Sequence, residues 1–99
     1  MAYFVLNYDM ADSYAGRTPA DRDLHVAHIQ ASIDRGEFLL GGGFTDGAAQ
    51  GMVLMEGDGP AVAESFATND PYVKAGYVKS WRVRPFNIVM GSLLPPPAP

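Results

Sequence analysis

The chain opens on a β-branched and aromatic run, Ala2 to Tyr8, that stops at Asp9 and predicts strand one. At a period of two, Phe4 and Leu6 share one face and Tyr3 and Val5 the other, so neither face is polar. The small, polar stretch Met10 to Arg17 predicts a loop. Thr18-Pro19 then offers an N-cap side chain followed by proline at the first helical position. Asp21 and Asp23 place negative charge in the first turns, where the helix dipole favours it. Val26, Ile29 and Ile33 recur at helical spacing and predict the buried stripe, and Gly36 suits the left-handed residue that ends a helix. The expected helix is Pro19 to Arg35.

Glu37 to Leu40 predicts strand two, running into Gly41-Gly42-Gly43, and Asp46-Gly47 marks a turn. Strand three is Gly51 to Glu56, with Met52, Val53, Leu54 and Met55 continuously apolar. After Gly57-Asp58-Gly59, Pro60 opens a second helix expected to reach Thr68. Asp70-Pro71-Tyr72-Val73-Lys74-Ala75-Gly76 reads as a single helical turn, with Asp as N-cap, Pro at the first position and Gly beyond the end. Strand four is expected from Val78 to Val89, alternating Trp81, Val83 and Pro85 with Arg82 and Arg84 as an edge strand can. Residues 1–91 make one domain, and the Pro-rich stretch 92–99 reads as an extended tail.

The order βαββαβ predicts an α+β, ferredoxin-like fold with a four-stranded antiparallel sheet in the order 4-1-3-2. Two helices cover one face of such a sheet. The other face here carries large apolar residues, and a second copy packed sheet to sheet covers them most economically. The expectation is a homodimer or larger homo-oligomer.

Composition narrows the function. A 99-residue chain forms one domain, too small for a deep enclosed site. A net charge of -4 argues against nucleic-acid or anionic-membrane partners, which need basic patches. The absence of cysteine excludes disulfides, thiolate metal sites and thiol nucleophiles and fits a reducing cytoplasm, the expected location. The N-terminus lacks the basic region of a signal peptide, and no apolar stretch approaches the roughly 20 residues that span a bilayer.

Candidate chemistry centres on His25 and Asp70. His25 sits one residue off the predicted stripe, at the core boundary, with Arg22 three residues earlier. A boundary histidine is either a half-buried helix residue bonded to a neighbour or a general acid or base. Asp70 is explained structurally as the N-cap of its turn. The same rigid turn would hold a carboxylate against an imidazole, with two oxygens to serve both roles. His28 makes an H-x-x-H pair with His25, but zinc pairs on helices favour i, i+4 with a Glu between, and two histidines do not complete a site, so no metal is expected. The triple glycine lacks the Lys-Ser/Thr of a P-loop and the helix of a dinucleotide fold, which leaves a strand needing close backbone approach. Tyr8, Tyr14, Tyr72 and Tyr77 are either pocket-lining or packing residues.

Arg22-x-x-His25, Gly36, Gly42, the Asp70-Pro71-Tyr72-Val73-x-Ala75-Gly76 element and Trp81-Arg82-Val83-Arg84-Pro85-Phe86 together resemble the YciI-like (YCII-related) proteins, over roughly Ala2 to Gly91. The chain departs from them in having Gly42-Gly43 where Gly-Pro is frequent. The resemblance implies a dimeric α+β barrel assembly related to muconolactone isomerase, with a pocket near the sheet and dimer interface. It also implies a catalytic His–Asp pair, here His25 and Asp70, with Arg22 as an anion-binding or structural neighbour. The expected substrate-binding residues are Arg22, Gly42 and Tyr72. One relative is a dehydrochlorinase acting on a chlorinated hydroxyhydroquinone. The leading expectation is a cofactor-free enzyme in which His25, oriented by Asp70, moves a proton on a small aromatic or enol-type substrate, in lyase, isomerase or dehydrochlorinase-like chemistry. The alternative is a non-catalytic dimer that holds a small ligand or serves a larger complex.

Overall fold

The structure, a computed structural model, describes residues 2–92. Its elements are β1 (Ala2–Met10), a 3-10 turn (Asp12–Gly16), α1 (Pro19–Asp34), β2 (Phe38–Gly43), β3 (Gln50–Gly57), α2 (Ala61–Asn69), the single turn α3 (Pro71–Lys74) and β4 (Val78–Pro85). The sheet order is β2-β3-β1-β4 and every neighbouring pair is antiparallel, so β1 and β3 are central as expected.

Caps set the ends. The Thr18 side chain accepts the Asp21 N–H at 3.1 Å, and Pro19 follows at the position where a missing N–H costs nothing. Gly36 and Gly76 both take positive φ, +77° and +83°, and close α1 and α3. The strands differ from expectation at two ends. β2 continues through the three glycines to Gly43, and β4 stops at Pro85 rather than Val89. The last bond on that edge is from the Phe86 N–H to the Tyr3 carbonyl at 2.9 Å. The tail expected over 92–99 lies, from Leu93 onward, outside the described residues.

The core lies between the sheet and the helices. Phe4, Leu6 and Tyr8 of β1 and Met55 of β3 meet Ala63, Phe66 and Ala67 of α2, with Val53, Val83, Trp81 and Ile29 packed around them. Leu6 and Met55 are wholly excluded from solvent, and each such side chain contributes about 1.5–3 kcal/mol. Among the described residues no element covers the opposite face of the sheet. In register it presents Val5 beside Leu54, Leu54 beside Leu40, and Met52 beside Asn7.

The stripe predicted on α1 is corrected. Val26 and Ile33 are 46% and 44% exposed, and Leu24 is exposed as well. The inward residues are His25, His28, Ile29 and the fully buried Ser32. This helix covers a cavity and a polar cluster more than it covers the core, so its inner face is not its most apolar one. No helix among the described residues is long and apolar enough to cross a membrane.

Candidate active site

The fully buried Asp70 carboxylate organises the site. It caps α3 by accepting the Tyr72 N–H at 2.9 Å on Oδ1. The same oxygen accepts from Nδ1 of His25 at 2.7 Å, and Oδ2 accepts the Tyr8 hydroxyl at 2.8 Å. Helix α1, turn α3 and central strand β1 thus converge on one buried anion. Burial pushes the carboxyl pKa up. The hydrogen bonds from His25, the Tyr72 backbone and Tyr8, with the charge of His25, outweigh it and hold the group below its ordinary 3.8. Burial pushes the Tyr8 hydroxyl strongly up, reinforced by the Asp70 charge and their hydrogen bond, so Tyr8 stays a donor.

His25 is fixed in orientation twice. Its Nδ1–H points to Asp70, and its ring stacks on Tyr72 at 3.8 Å between centroids and 6° between planes. Tyr72 is held edge-on by Tyr14 and Tyr77, and the Tyr77 hydroxyl donates to Asp21 of α1 at 2.6 Å. With Nδ1 protonated toward Asp70, the lone pair of a neutral ring resides on Nε2, which has no protein partner among the described residues. The His25 side chain is 19% exposed, so that nitrogen is reachable in an otherwise covered cluster.

His25 lines a cavity of about 290 Å³ between α1 and the β2–β3 hairpin. Tyr8, Tyr14 and Tyr72 line it near the histidine, Ile29, Phe38 and Phe66 form apolar wall, and Gly41, Gly42, Gly43 and Gly51 contribute bare backbone. Of the residues singled out from sequence, His25, Asp70 and Tyr72 are brought together, and Gly42 reaches the cavity from its far side. Arg22 is exposed and does not line it. Arg22 faces a shallow depression with Arg17 instead. His28 does not join His25. Its Nε2 donates to the Phe66 carbonyl at 2.9 Å, satisfying one of the last carbonyls of α2. Among the described residues no three His, Cys, Asp or Glu side chains gather as metal ligands do.

Two contacts were not found from the sequence, although Tyr8 itself is among the tyrosines weighed there as pocket-lining. The Tyr8–Asp70 bond joins residues 62 apart, and its only sequence signal is that a tyrosine at a core strand position needs a partner for its hydroxyl. Arg17, its guanidinium 4.0 Å above the Tyr14 ring, comes from the segment read as featureless loop.

Comparison with known proteins bears on the fold and the family. The YCII-related domain matches residues 1–87. Protein YciI of Escherichia coli is 33% identical over 98 residues, which cover 90% of this chain and 99% of that protein. The fold is similar to that of 5-chloro-2-hydroxyhydroquinone dehydrochlorinase of Burkholderia phenoliruptrix in complex with 2,5-dihydroxybenzoquinone, with TM-score 0.68, 20% identity, and coverage of 88% of this chain and 94% of that one. It is also similar to an antibiotic biosynthesis monooxygenase, with TM-score 0.54, 10% identity, and coverage of 91% of this chain and 100% of that one. At these identities the two structures speak for the fold. The match along nearly the whole chain goes further, and the chain belongs to the YCII-related family.

Proposed function

We propose that this protein is an acid–base enzyme in which Nε2 of His25 takes a proton from a small aromatic or enol-type substrate held in the cavity. The observation that carries this is the 2.7 Å bond from His25 to buried Asp70 at the cavity wall, with the opposite ring nitrogen unengaged. Asp70 fixes the tautomer and stabilises the imidazolium once formed. Proton removal from a ring hydroxyl or an acidic C–H leaves an electron pair that forms a new π bond. In an elimination from a ring phenol, the carbon bearing the leaving group first takes up a proton in the keto tautomer, and the leaving group then departs with the bonding pair as His25 removes a hydroxyl proton. In an isomerisation His25 returns the proton at another carbon. The chemistry named for the structurally similar dehydrochlorinase is of the first kind, and its substrate, 5-chloro-2-hydroxyhydroquinone, is the first compound to assay. His25→Gln is expected to lower turnover at least a hundredfold, the usual worth of a positioned base, with an unchanged circular dichroism spectrum. Turnover retained in that variant overturns the assignment.

The working unit we propose is a homodimer joined through the uncovered sheet face, where Val5, Leu40 and Leu54 adjoin in register.

A further inference from the structure

The cavity exists because side chains run out on one side of the sheet. Read in register across β2, β3 and β1, the helix-facing rows are Phe38, Met55 and Phe4, then Gly41, Val53 and Leu6, then Gly43, Gly51 and Tyr8. The first row is filled, and the third is bare on two of its three strands.

Neither backbone nor packing asks for glycine in that third row. Among the described residues only Gly36, Gly47 and Gly76 have positive φ. A Cβ on Gly43 would come no nearer than 3.5 Å to the Gln50 carbonyl oxygen. One on Gly51 would lie 3.5 Å from the Gly42 oxygen and 3.8 Å from Tyr8 Cβ, ordinary contacts in both cases. Gly41 differs, since a Cβ there would sit 2.5 Å from the Phe38 ring, so that glycine is needed for packing. Glycine inside a strand costs backbone entropy and forgoes cross-strand contacts. With conformation and neighbours set aside, close approach of a ligand or of another backbone is the physical reason left, and the position of both glycines on the His25 cavity favours the ligand.

We infer that Gly43 and Gly51 are the specificity-determining floor of the site, a bare strip of paired backbone on which one flat, unsaturated ring of the substrate lies with an edge toward His25. The substrate class is a monocyclic phenol, enol or quinone. A flat ring can lie parallel to the strip along its whole face, whereas a saturated, puckered ring meets it only through its axial hydrogens, and about 290 Å³ suits one ring with small substituents. Tyr14, Phe38 and Phe66 supply the aromatic surround. The inference rests on reading the His25 cavity as the substrate site, but its readout is binding rather than turnover.

The test is titration of the intact chain with 2,5-dihydroxybenzoquinone and with cyclohexane-1,4-diol by ligand-observed NMR, for wild type, Gly43→Ala, Gly51→Ala and His25→Gln. The expected result is wild-type binding of the flat ring alone, and at least a tenfold loss of affinity in each alanine variant. Melting temperatures of those variants should equal or exceed wild type, because alanine at ordinary φ restricts the unfolded chain. Unchanged affinity in both alanine variants overturns the floor. So does equal binding of the puckered ring, absence of flat-ring binding to wild type, or a loss of more than roughly 5 °C in melting temperature, which would make the glycines structural. His25→Gln separates the two ideas. If it still turns substrate over while the glycine effect holds, the catalytic reading fails and the floor stands.

Discussion

Asp70 ties three elements of the fold together through one buried carboxylate. Its two structural roles fall on one oxygen, since Oδ1 takes both the Tyr72 N–H and His25, while Oδ2 is reserved for Tyr8. The folded carboxyl titrates below its ordinary 3.8. The unfolded chain therefore takes up this proton at higher pH than the folded one. The stability Asp70 contributes is complete above about pH 4 and is lost as pH falls through the lowered folded value. Asp70→Asn keeps an acceptor for the Tyr72 N–H but removes the titration and the charge. The variant should be less stable than wild type at pH 7 by about 1.5–3 kcal/mol, the worth of a hydrogen bond to a charged group. Its stability should then change less steeply than wild type between pH 5 and pH 2. Urea denaturation across that range checks this, and parallel slopes would show that another group dominates the acid limb.

The elements were legible in the sequence where an apolar run or a cap marks them. β1 and β3 show as apolar runs, α3 and the start of α1 show by their caps, and the sheet order follows from βαββαβ with two-sided apolar central strands. What was hidden belongs to the cavity. The 3-10 turn Asp12–Gly16 is too short to have a period, yet it supplies Tyr14. The inner face of α1 is polar because it meets Asp70 and the end of α2, so the apolar period points to Val26 and Ile33, which face solvent. Ser32 is the remainder of that mismatch. It is wholly buried, and its hydroxyl finds no partner among the described residues. Ser32→Ala removes an unpaired polar group and favours the helix, so it should stabilise the protein by about 1 kcal/mol. A lower denaturation midpoint for that variant would mean that the hydroxyl is bonded through a route such as ordered water.

At the scale of the whole molecule, the helices leave one sheet face uncovered among the described residues. Val5 pairs with Leu54 across β1 and β3, and Leu54 with Leu40 across β3 and β2, so three aliphatic side chains form a continuous strip at the middle of that face. Arg84 lies beside Val5, and Glu56 beside Tyr3, so charges of both signs border it. A strip with this centre and this rim suits a two-fold interface, in which each copy presents the same surface. The proposed dimer should therefore run in light scattering at twice the 10.6 kDa chain mass at micromolar concentration. Leu54→Glu places a charge at the centre of the strip and in the opposing copy at once, where burial without a partner costs several kcal/mol. It should shift the mass to one chain while leaving the His25–Asp70 cluster, on the other side of the sheet, folded. A wild-type protein that is already monomeric, or a Leu54→Glu variant that stays dimeric, would remove this face as the contact.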